Sequence, residues 1–321
     1  MKSIETEKEY QAFILERLTQ DNGYVLRTNK NFDRYYALDR EMLLQFLKAT
    51  QPEAMEKLRK IFKDKTEDTI IGAISAAETQ KGGSRLEVLK HGLEINRIHL
   101  NLLYGKPATT YNKELNKLYQ ENIFSVAEEI WASDQERIDV VIFINGLAVI
   151  TMELKANTQG QSYKDAIWQY RNDRDPKSRL LRFKAGALVH FAMDLEQCYM
   201  TTELKKKSTF FLPFNMGSGT GIDSGAGNPI FEDKYSVYYM WEKIFQKDSL
   251  LEIITRFMFI EKQEKKDNLT GKIKKSERVI FPRFHQLDVI RKVLADVYEN
   301  KSEQNYLLQH SAGSGKTNEI A

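Results

Sequence analysis

Two acidic residues and a lysine stand at a spacing suited to metal-dependent hydrolysis of a phosphodiester. Asp139 lies near the start of one apolar run, and Glu153 and Lys155 close the next run. Mg²⁺ prefers carboxylate oxygens, and a bound Mg²⁺ polarises a phosphate and lowers the pKa of a water molecule. Lys155 would orient that water or stabilise charge in the transition state. The pattern predicts a catalytic site of Asp139, Glu153 and Lys155, with the two acids as metal ligands.

A β-hairpin would position these three residues. The segments 140–144 and 147–152 are almost continuously apolar, and Asn145-Gly146 separates them. Asn-Gly between two such runs is the strongest short-range signal for a hairpin. Strands this apolar are expected to be covered on both faces of a sheet.

The register of this hairpin decides whether the two acids meet. A regular two-residue turn would place Asp139 opposite Met152, so that Asp139 and Glu153 would face opposite sides of the sheet. A shift of one residue, through a bulge or an odd-length connection, brings both acids to one side. We therefore predict an irregularity in this hairpin. We also expect the strand ends to open onto solvent, because a nucleic-acid backbone must reach the site.

A helix downstream carries candidates for contact with DNA. Ser162 and Asp165 have capping-box spacing, and the helix that they predict is followed by a basic stretch. We predict that its DNA-contacting side chains are Gln169, Tyr170, Arg171 and Arg174. The alternative is a routine surface helix that covers the sheet with its apolar face.

The last residues carry a nucleotide-binding motif, because residues 310–317 end in Gly-Ser-Gly-Lys-Thr. Gly313 and Gly315 would let backbone N–H groups approach phosphate oxygens. Lys316 would reach the β and γ phosphates, and Thr317 would bind Mg²⁺. The printed sequence stops soon afterwards, before any second motor motif, so we expect this loop to be the first piece of a truncated motor. No ATPase activity is expected from this stretch by itself.

Composition sets the broad class. The chain has 321 residues, of which 41% are hydrophobic and 29% charged, and its formal net charge is +3. These values are ordinary for a globular protein, and the small net charge neither requires nor excludes a nucleic-acid partner. The single cysteine, Cys198, cannot form an intrachain disulfide, which fits a reducing compartment. No apolar run is long enough to cross a bilayer, so we predict a cytoplasmic protein without a membrane partner.

The order of helical and extended patterns predicts a mixed α/β fold, with a central mixed β-sheet flanked by helices. Thr6 with Glu9, and Thr50 with Glu53, each have capping-box spacing at the start of a helix. Another short helix is predicted around 115–119, and an amphipathic helix over 287–297. Further strand candidates are 98–104, 187–193, 198–202, 209–214 and a short buried strand over 306–309.

The predicted organisation has two units joined by a linker. Residues 1–260 would form the first domain, and residues 281–321 would begin the motor domain. Residues 261–280 are dense in Lys and Glu with few apolar residues, which is typical of a charged linker.

On these motifs the chain resembles the restriction subunit of type I restriction-modification enzymes. The resemblance extends over essentially the whole length of the chain. Asp139, Glu153 and Lys155 stand on the motif positions of the PD-(D/E)xK nucleases, with Ile138 where that motif has proline. Gln169-Tyr170 is the best match to the Gln/Tyr element that follows the active-site strand in this superfamily. Gln159 with Tyr163 is a second candidate, at the Gln-x-x-x-Tyr spacing of some relatives. The resemblance implies a restriction-endonuclease-like fold for the first domain.

The segment Phe281–Gln286 resembles the adenine-sensing segment of superfamily 2 helicases, in which Gln286 would read the base. The resemblance therefore implies a RecA-like motor domain that begins near residue 281. It further implies an ATP-dependent type I site-specific deoxyribonuclease that pulls double-stranded DNA past a bound complex. Mg²⁺ would be its cofactor, with ATP used by the full-length subunit only. Methyltransferase and specificity subunits would be its partners. The alternative is a non-catalytic DNA-docking or assembly module of a DNA translocase.

Overall fold

The structure is a computed structural model that describes residues 3–157, 160–218, 227–266, 273–300 and 305–308. It has the predicted mixed α/β organisation, with a central mixed sheet flanked by helices. The α-helices in these ranges are α1 (Glu7–Glu16), α2 (Arg40–Thr50), α3 (Pro52–Phe62), α4 (Thr66–Thr79), α5 (Arg85–His91), α6 (Lys113–Gln120), α7 (Tyr163–Asn172), α8 (Lys247–Glu252) and α9 (Phe284–Asn300).

The described strands of the first 213 residues are short except in the middle of the sheet. They are β1 (Val25–Arg27), β2 (Phe32–Asp33), β3 (Leu38–Asp39), β4 (Leu93–Ile95), β5 (Ile98–Leu100), β6 (Phe124–Trp131), β7 (Arg137–Ile144), β8 (Leu147–Leu154), β9 (Val189–Met193), β10 (Cys198–Thr201) and β11 (Leu212–Pro213). Two longer strands follow, β12 (Phe259–Lys266) and β13 (Ile273–Ile280).

The main sheet runs in the order β1-β6-β7-β8-β9-β10-β11, and β3 also pairs with β8. The pairs β1/β6 and β8/β9 are parallel, and the other neighbours along this order are antiparallel. All eight residues of β8 are buried, as the sequence predicted for a strand covered on both faces.

Helices cover β7 and β8 from both sides. Ile142 and Met152 belong to the larger hydrophobic cluster, which also contains side chains of α1 to α5 and α8. Val141 and Phe143 belong to a second cluster with the buried face of α7. Since side chains alternate along a strand, Asp139 shares the α7 side of β7 with Val141 and Phe143.

The hairpin of β7 and β8 contains the predicted irregularity. Asn145 and Gly146 have φ angles of 50° and 80°, as a two-residue turn that follows the twist of the strands requires. Phe143 pairs with Ala148, but Ile142 pairs with Ile150. Val149 is therefore the extra residue of a β-bulge. Beyond the bulge Val140 pairs with Met152, so the next step along the ladder places Asp139 opposite Glu153.

The turn glycine should be sensitive to substitution. A Cβ atom at Gly146 would lie 2.4 Å from the Asp39 carbonyl oxygen and 2.7 Å from the Leu43 nitrogen. Because φ is also positive there, we expect Gly146→Ala to lower the free energy of unfolding by about 2 kcal/mol or more. Gly72 in α4 is the control, since no atom lies within 4 Å of its Cβ position. Gly72→Ala should be neutral or gain up to about 1 kcal/mol in urea unfolding. Equal losses for both variants would contradict this assignment.

Local helix signals were mostly reliable. The Thr6–Glu9 capping box is formed at the start of α1, and the predicted helix around 115–119 is α6. The predicted cap at Thr50 is wrong. Helix α2 continues through Thr50, whose hydroxyl donates to the Phe46 carbonyl at 2.8 Å. Helix α3 begins at Pro52 without a side-chain cap, because the two helices follow each other with one residue between them.

Two strand predictions were too long. In the predicted strand 98–104, only Ile98–Leu100 is extended and paired, as a partner of β4. In 209–214, only Leu212–Pro213 pairs with β10. Beyond Leu100 the partner strand β4 has ended. Beside Leu212–Pro213, one further backbone hydrogen bond joins the Phe214 N–H to the Cys198 carbonyl at 2.9 Å, but regular pairing stops.

The segment predicted as a charged linker contains a two-stranded antiparallel ribbon, β12 and β13. Several of its oppositely charged residues occupy directly opposed positions on the two strands. Glu264 is the direct cross-strand partner of Lys275, and their side chains form an ion pair at 2.6 Å. Opposite charges at such positions stabilise a ribbon, so a dense mixture of Lys and Glu fits a ribbon as well as a linker. The domain boundary at this segment stays a prediction.

The end of the chain is described in part. Helix α9 confirms the predicted amphipathic helix. Tyr306, Leu307 and Leu308 are exposed and have no regular structure, so the predicted buried strand is wrong for these residues. Gly313, Gly315, Lys316 and Thr317 lie outside the described residues, and the motor domain stays a prediction. In the described ranges, no helix is long and apolar enough to span a membrane.

Candidate active site

The two predicted metal ligands come together on neighbouring strands. Asp139 lies near the start of β7 and Glu153 near the end of β8, on the strand side that faces α7. The Leu154 backbone N–H donates to Asp139 Oδ2 at 2.7 Å, which fixes the orientation of that carboxylate. The two acids interact closely enough for the charge of Glu153 to raise the pKa of Asp139. The bulge at Val149 thus produces the convergence that the catalytic prediction required.

Lys155 and two residues that the prediction did not place in the site complete the cluster. Lys155 Nζ lies 2.7 Å from Glu7 Oε2, in the first turn of α1. Arg174 donates to both oxygens of Glu153, from Nε at 2.7 Å and from Nη2 at 3.0 Å. The site therefore contains three carboxylates and two cations.

The site is closed, which corrects the expectation that the strand ends open onto solvent. Asp139 is 5% exposed, Glu153 0% and Lys155 7%. The reason lies in charge pairing, because a buried carboxylate needs a hydrogen-bonded counter-charge. Arg174 supplies it to Glu153 and covers that acid, while Glu7 pairs with Lys155.

Burial and charge together perturb both acids. Burial raises the pKa of Asp139 well above its usual range, and the negative charges of Glu153 and Glu7 raise it further. Burial also raises the pKa of Glu153, while the nearby Arg174 opposes this shift. If all three carboxyl groups ionise, they outnumber the two cations, and one negative charge in the cluster has no counter-charge. Carboxyl groups in this situation are well suited to gain a cation.

The donor set fits a site for a hard divalent cation with few protein ligands. Asp139 and Glu153 supply carboxylate oxygens from adjacent strands, and Mg²⁺ is often held by one or two carboxylates together with water and substrate phosphate. Across the described ranges, no group of three or more His, Cys, Asp or Glu side chains has the arrangement of a metal site. The two acids alone would therefore be the protein ligands, once Arg174 releases Glu153.

The predicted DNA-contacting residues separate into two pairs. The Ser162–Asp165 capping box forms at the start of α7. Tyr170 and Arg174 are both buried and occupied inside the protein, and their contact with DNA stays a prediction. The Tyr170 hydroxyl lies 2.8 Å from Thr151 Oγ1, and Arg174 is bound to Glu153. Both side chains are drawn inward because they satisfy buried polar atoms of β8.

Gln169 and Arg171 lie nearer the surface, and both are half-buried. Arg171 donates to the Thr209 carbonyl from Nε at 3.1 Å and from Nη2 at 2.8 Å. Gln169 has a buried side-chain oxygen without a hydrogen-bond partner. For these two residues, contact with DNA stays a prediction.

His190 is a core histidine that lies beside the site. Its Nδ1 is 2.7 Å from Thr151 Oγ1, and burial lowers the pKa of His190 to about 3. Cys198 is likewise buried in β10, and burial raises the pKa of its thiol. Neither residue has the setting of a nucleophile or a metal ligand.

The depressed pKa of His190 predicts sensitivity to acid. The unfolded chain takes up a proton at the ordinary histidine pKa near 6.5, whereas the folded protein does so only near 3. Stability should therefore fall as the pH falls through this window, by about 1 kcal/mol for each pH unit. In urea unfolding between pH 6.5 and 5, His190→Gln should show a smaller loss than the parent protein. An identical pH dependence would contradict a buried neutral imidazole.

Among the residues predicted to bind the nucleotide, Gln286 is the one that lies within the described ranges. Gln286 is buried, and its side-chain oxygen accepts a hydrogen bond from the Arg283 backbone N–H at 2.8 Å. It lies beside a cavity of about 590 Å³ that is also lined by Phe281, Arg278 and Phe210. Recognition of adenine by Gln286 stays a prediction.

Comparisons with known proteins cover the segment that contains this site. Residues 4–209 match the family model described as type I restriction enzyme R protein N terminus. The chain is 30% identical over 188 residues to a Methanocaldococcus jannaschii protein named as the MjaVIIP endonuclease subunit of a type I restriction enzyme. That match spans 56% of this chain but only 16% of the relative. The matched family segment includes Asp139, Glu153, Lys155 and Arg174.

Proposed function

The chain belongs to the family of type I restriction enzyme R protein N termini, and on that premise we propose that it is a Mg²⁺-dependent endonuclease domain. Its reaction would be the hydrolysis of DNA phosphodiester bonds. The observation that carries this proposal is the bulge at Val149, which sets Asp139 opposite Glu153. Lys155 follows Glu153 by two positions, and residues two apart in an extended strand have their side chains on the same side of the sheet.

In the proposed reaction, the protein supplies positioning and charge. A bound Mg²⁺ would polarise the scissile phosphate and acidify the attacking water. Asp139 and Glu153 would hold that ion, with Asp139 kept in place by the Leu154 N–H. The Lys155 ammonium would orient the water or stabilise the negative charge that develops on the phosphate oxygens. Water would attack directly, so no covalent enzyme intermediate is formed.

The complete subunit would add an ATP-driven motor. The Gly-Lys-Thr motif of residues 315–317 and the much greater length of the curated relative support this part of the proposal. Cleavage would then follow translocation of double-stranded DNA in a complex with methyltransferase and specificity subunits. The intact assembly would work in the cytoplasm.

The closed site favours one alternative function. Both oxygens of Glu153 are occupied by Arg174, an arrangement that would also suit a non-catalytic DNA-docking or assembly module. Such a module would bind no divalent cation at the acid pair. Substitution of Asp139 or Glu153 would then leave DNA cleavage by the assembly unchanged.

Substitution of Asp139 separates the two functions. In the complete subunit assembled with its partner subunits, Asp139→Asn should lower DNA cleavage by about 10³-fold or more, because a neutral amide is a poor ligand for Mg²⁺. ATP hydrolysis should continue. Asp134→Asn is the matched control, since its side chain is 88% exposed and pairs only with Arg34 among the described ion pairs. Cleavage by the Asp139 variant at the control rate would exclude the nuclease assignment.

A further inference from the structure

Arg174 occupies the carboxylate that the proposed metal site needs. It binds Glu153 in a two-point, fully buried contact, and such a fork is among the strongest ways to hold a carboxylate. A divalent cation and this guanidinium cannot both take the two oxygens of Glu153. Binding of a cation through both oxygens of Glu153 therefore requires another position for Arg174.

A second acid, Glu136, lies beside Arg174 and can accept hydrogen bonds from its guanidinium group. Glu136 precedes β7 by one residue and is only 8% exposed. Its Oε2 atom is buried and has no hydrogen-bond partner in the structure. Burial raises the pKa of this carboxyl, and the neighbouring Asp175 N–H, Arg174 and Lys206 act in the opposite direction. Glu136 thus lies against the same peptide segment that carries Arg174.

A buried carboxylate oxygen without a partner is unusual, because leaving such an atom unsatisfied is unfavourable by about 1–3 kcal/mol. It points to a ligand or a side chain that joins it in another state. The Arg174 guanidinium is a donor of the right chemistry, and its own electrostatic influence reaches Glu136. A change of the Arg174 side-chain conformation would suffice, since its main chain already adjoins Glu136.

Charge balance supports the same exchange. Without Arg174, the cluster of Asp139, Glu153, Glu7 and Lys155 contains three carboxylates and one ammonium. With all three carboxyl groups ionised, two negative charges remain, which is the charge that a divalent cation neutralises. Arg174 paired with Glu136 would be neutral as well.

The other charged groups near Glu136 do not alter this balance. Asp175 and Lys206 carry one charge of each sign, and both influence Glu136. Lys206 also donates to the Arg174 carbonyl at 2.8 Å. The alternative partner for Glu136, Lys206, is thus already attached to the same segment.

We propose that Arg174 is an exchangeable counter-charge, which neutralises Glu153 in the metal-free protein and moves to Glu136 when the acid pair binds a divalent cation. Glu136 is then a positioning residue, since it acts on the site through Arg174. This inference rests on the proposed function and specifies how that site is regulated. It also explains why the site is closed in the structure.

The exchange is tested by measuring Mn²⁺ binding to the chain, with the unbound ion quantified by electron paramagnetic resonance. Glu136→Gln should weaken Mn²⁺ binding by about tenfold, because the displaced guanidinium loses its acceptor. Arg174→Met should tighten binding by about tenfold, because the competitor is gone. In the Arg174→Met background, Glu136→Gln should change the affinity by less than about twofold. Arg174→Gln, which removes the charge but keeps a polar side chain, serves as the background if the methionine variant fails to fold.

The outcomes separate this inference from the proposed function. Equal weakening by Glu136→Gln with and without Arg174, or no weakening in either background, overturns the exchange. Asp139→Asn should abolish the binding in every background. If the parent protein binds no Mn²⁺ that depends on Asp139, both proposals fail. If the coupling is found but Asp139→Asn leaves cleavage by the complete subunit intact, the exchange stands and the nuclease assignment fails.

Discussion

Replacing Lys155 with methionine should lower DNA cleavage by the complete subunit by about 10³-fold without weakening the binding of a divalent cation. Lys155 is buried beside the acid pair but is not itself a metal ligand in the proposed site. Its ammonium would act on the attacking water or on the charge of the transition state, and such contributions are largest where water is excluded. The variant therefore separates chemistry from metal binding, which Asp139→Asn cannot do.

Lys60→Met in α3 is the control for this measurement, since its side chain is 73% exposed and pairs with Glu56 on the same helix. It should cleave DNA like the parent subunit. Single-turnover cleavage and Mn²⁺ titration would be measured on the same preparations. Loss of Mn²⁺ binding together with cleavage in Lys155→Met would show that Lys155 maintains the site rather than taking part in the reaction.

Replacing Arg85 with methionine should lower the free energy of unfolding by about 3 kcal/mol, because the buried Glu78 keeps only one of its two guanidinium partners, Arg179. Arg85 and Glu78 are both 0% exposed in their side chains and lie 2.7 Å apart. Arg85 Nη1 also donates to the carbonyls of Ala37 at 3.0 Å and Ala148 at 3.1 Å. Methionine satisfies none of these acceptors.

The location of Arg85 links this stability to the site. Ala148 directly precedes the bulge residue Val149, so Arg85 braces the part of β8 that sets the register of Asp139 and Glu153. Arg34→Met is the matched control, because the ion pair of Arg34 with Asp134 is exposed and should contribute at most about 1 kcal/mol. Similar losses for both variants in urea unfolding would contradict the assignment of Arg85 as a buried anchor.

The part of the site that could be predicted from sequence depends on local signals. Asn145-Gly146 between two apolar runs specified the hairpin, and the alternation of strand side chains required a one-residue shift for Asp139 to meet Glu153. Both steps use residues within one supersecondary unit, where turn chemistry and pleat fix the geometry. The structure confirms the shift at Val149.

The rest of the cluster depends on tertiary contacts that no local pattern encodes. Glu7 reaches Lys155 across 148 positions of sequence, and Arg174 reaches Glu153 across 21. An acid in the first turn of a helix is ordinary because it complements the helix dipole, so Glu7 carried no separate signal. Arg174 comes directly after a basic helix, a position that favours a DNA contact in the sequence. Its burial depends on how α7 packs on the sheet, which no local pattern shows.

Charge patterns were also ambiguous about structure. The Lys- and Glu-rich segment after residue 260 was interpreted as a linker, yet β12 and β13 pair there through opposite charges. An alternating mixture of signs satisfies both solvent and a cross-strand ladder. The resemblance to the family depended on motifs rather than on composition. These were the spacing of Asp139, Glu153 and Lys155 and the Gly-Ser-Gly-Lys-Thr string that ends at residue 317, and the family comparison confirms the family.

The most direct measurement of the central claim is anomalous diffraction from crystals of this chain soaked in Mn²⁺. The nuclease proposal predicts a manganese peak within coordination distance of carboxylate oxygens from both Asp139 and Glu153. The same soak of Asp139→Asn crystals should lack that peak. An empty acid pair in the parent crystals, with Arg174 still bound to both oxygens of Glu153 at saturating Mn²⁺, would contradict the proposed metal site.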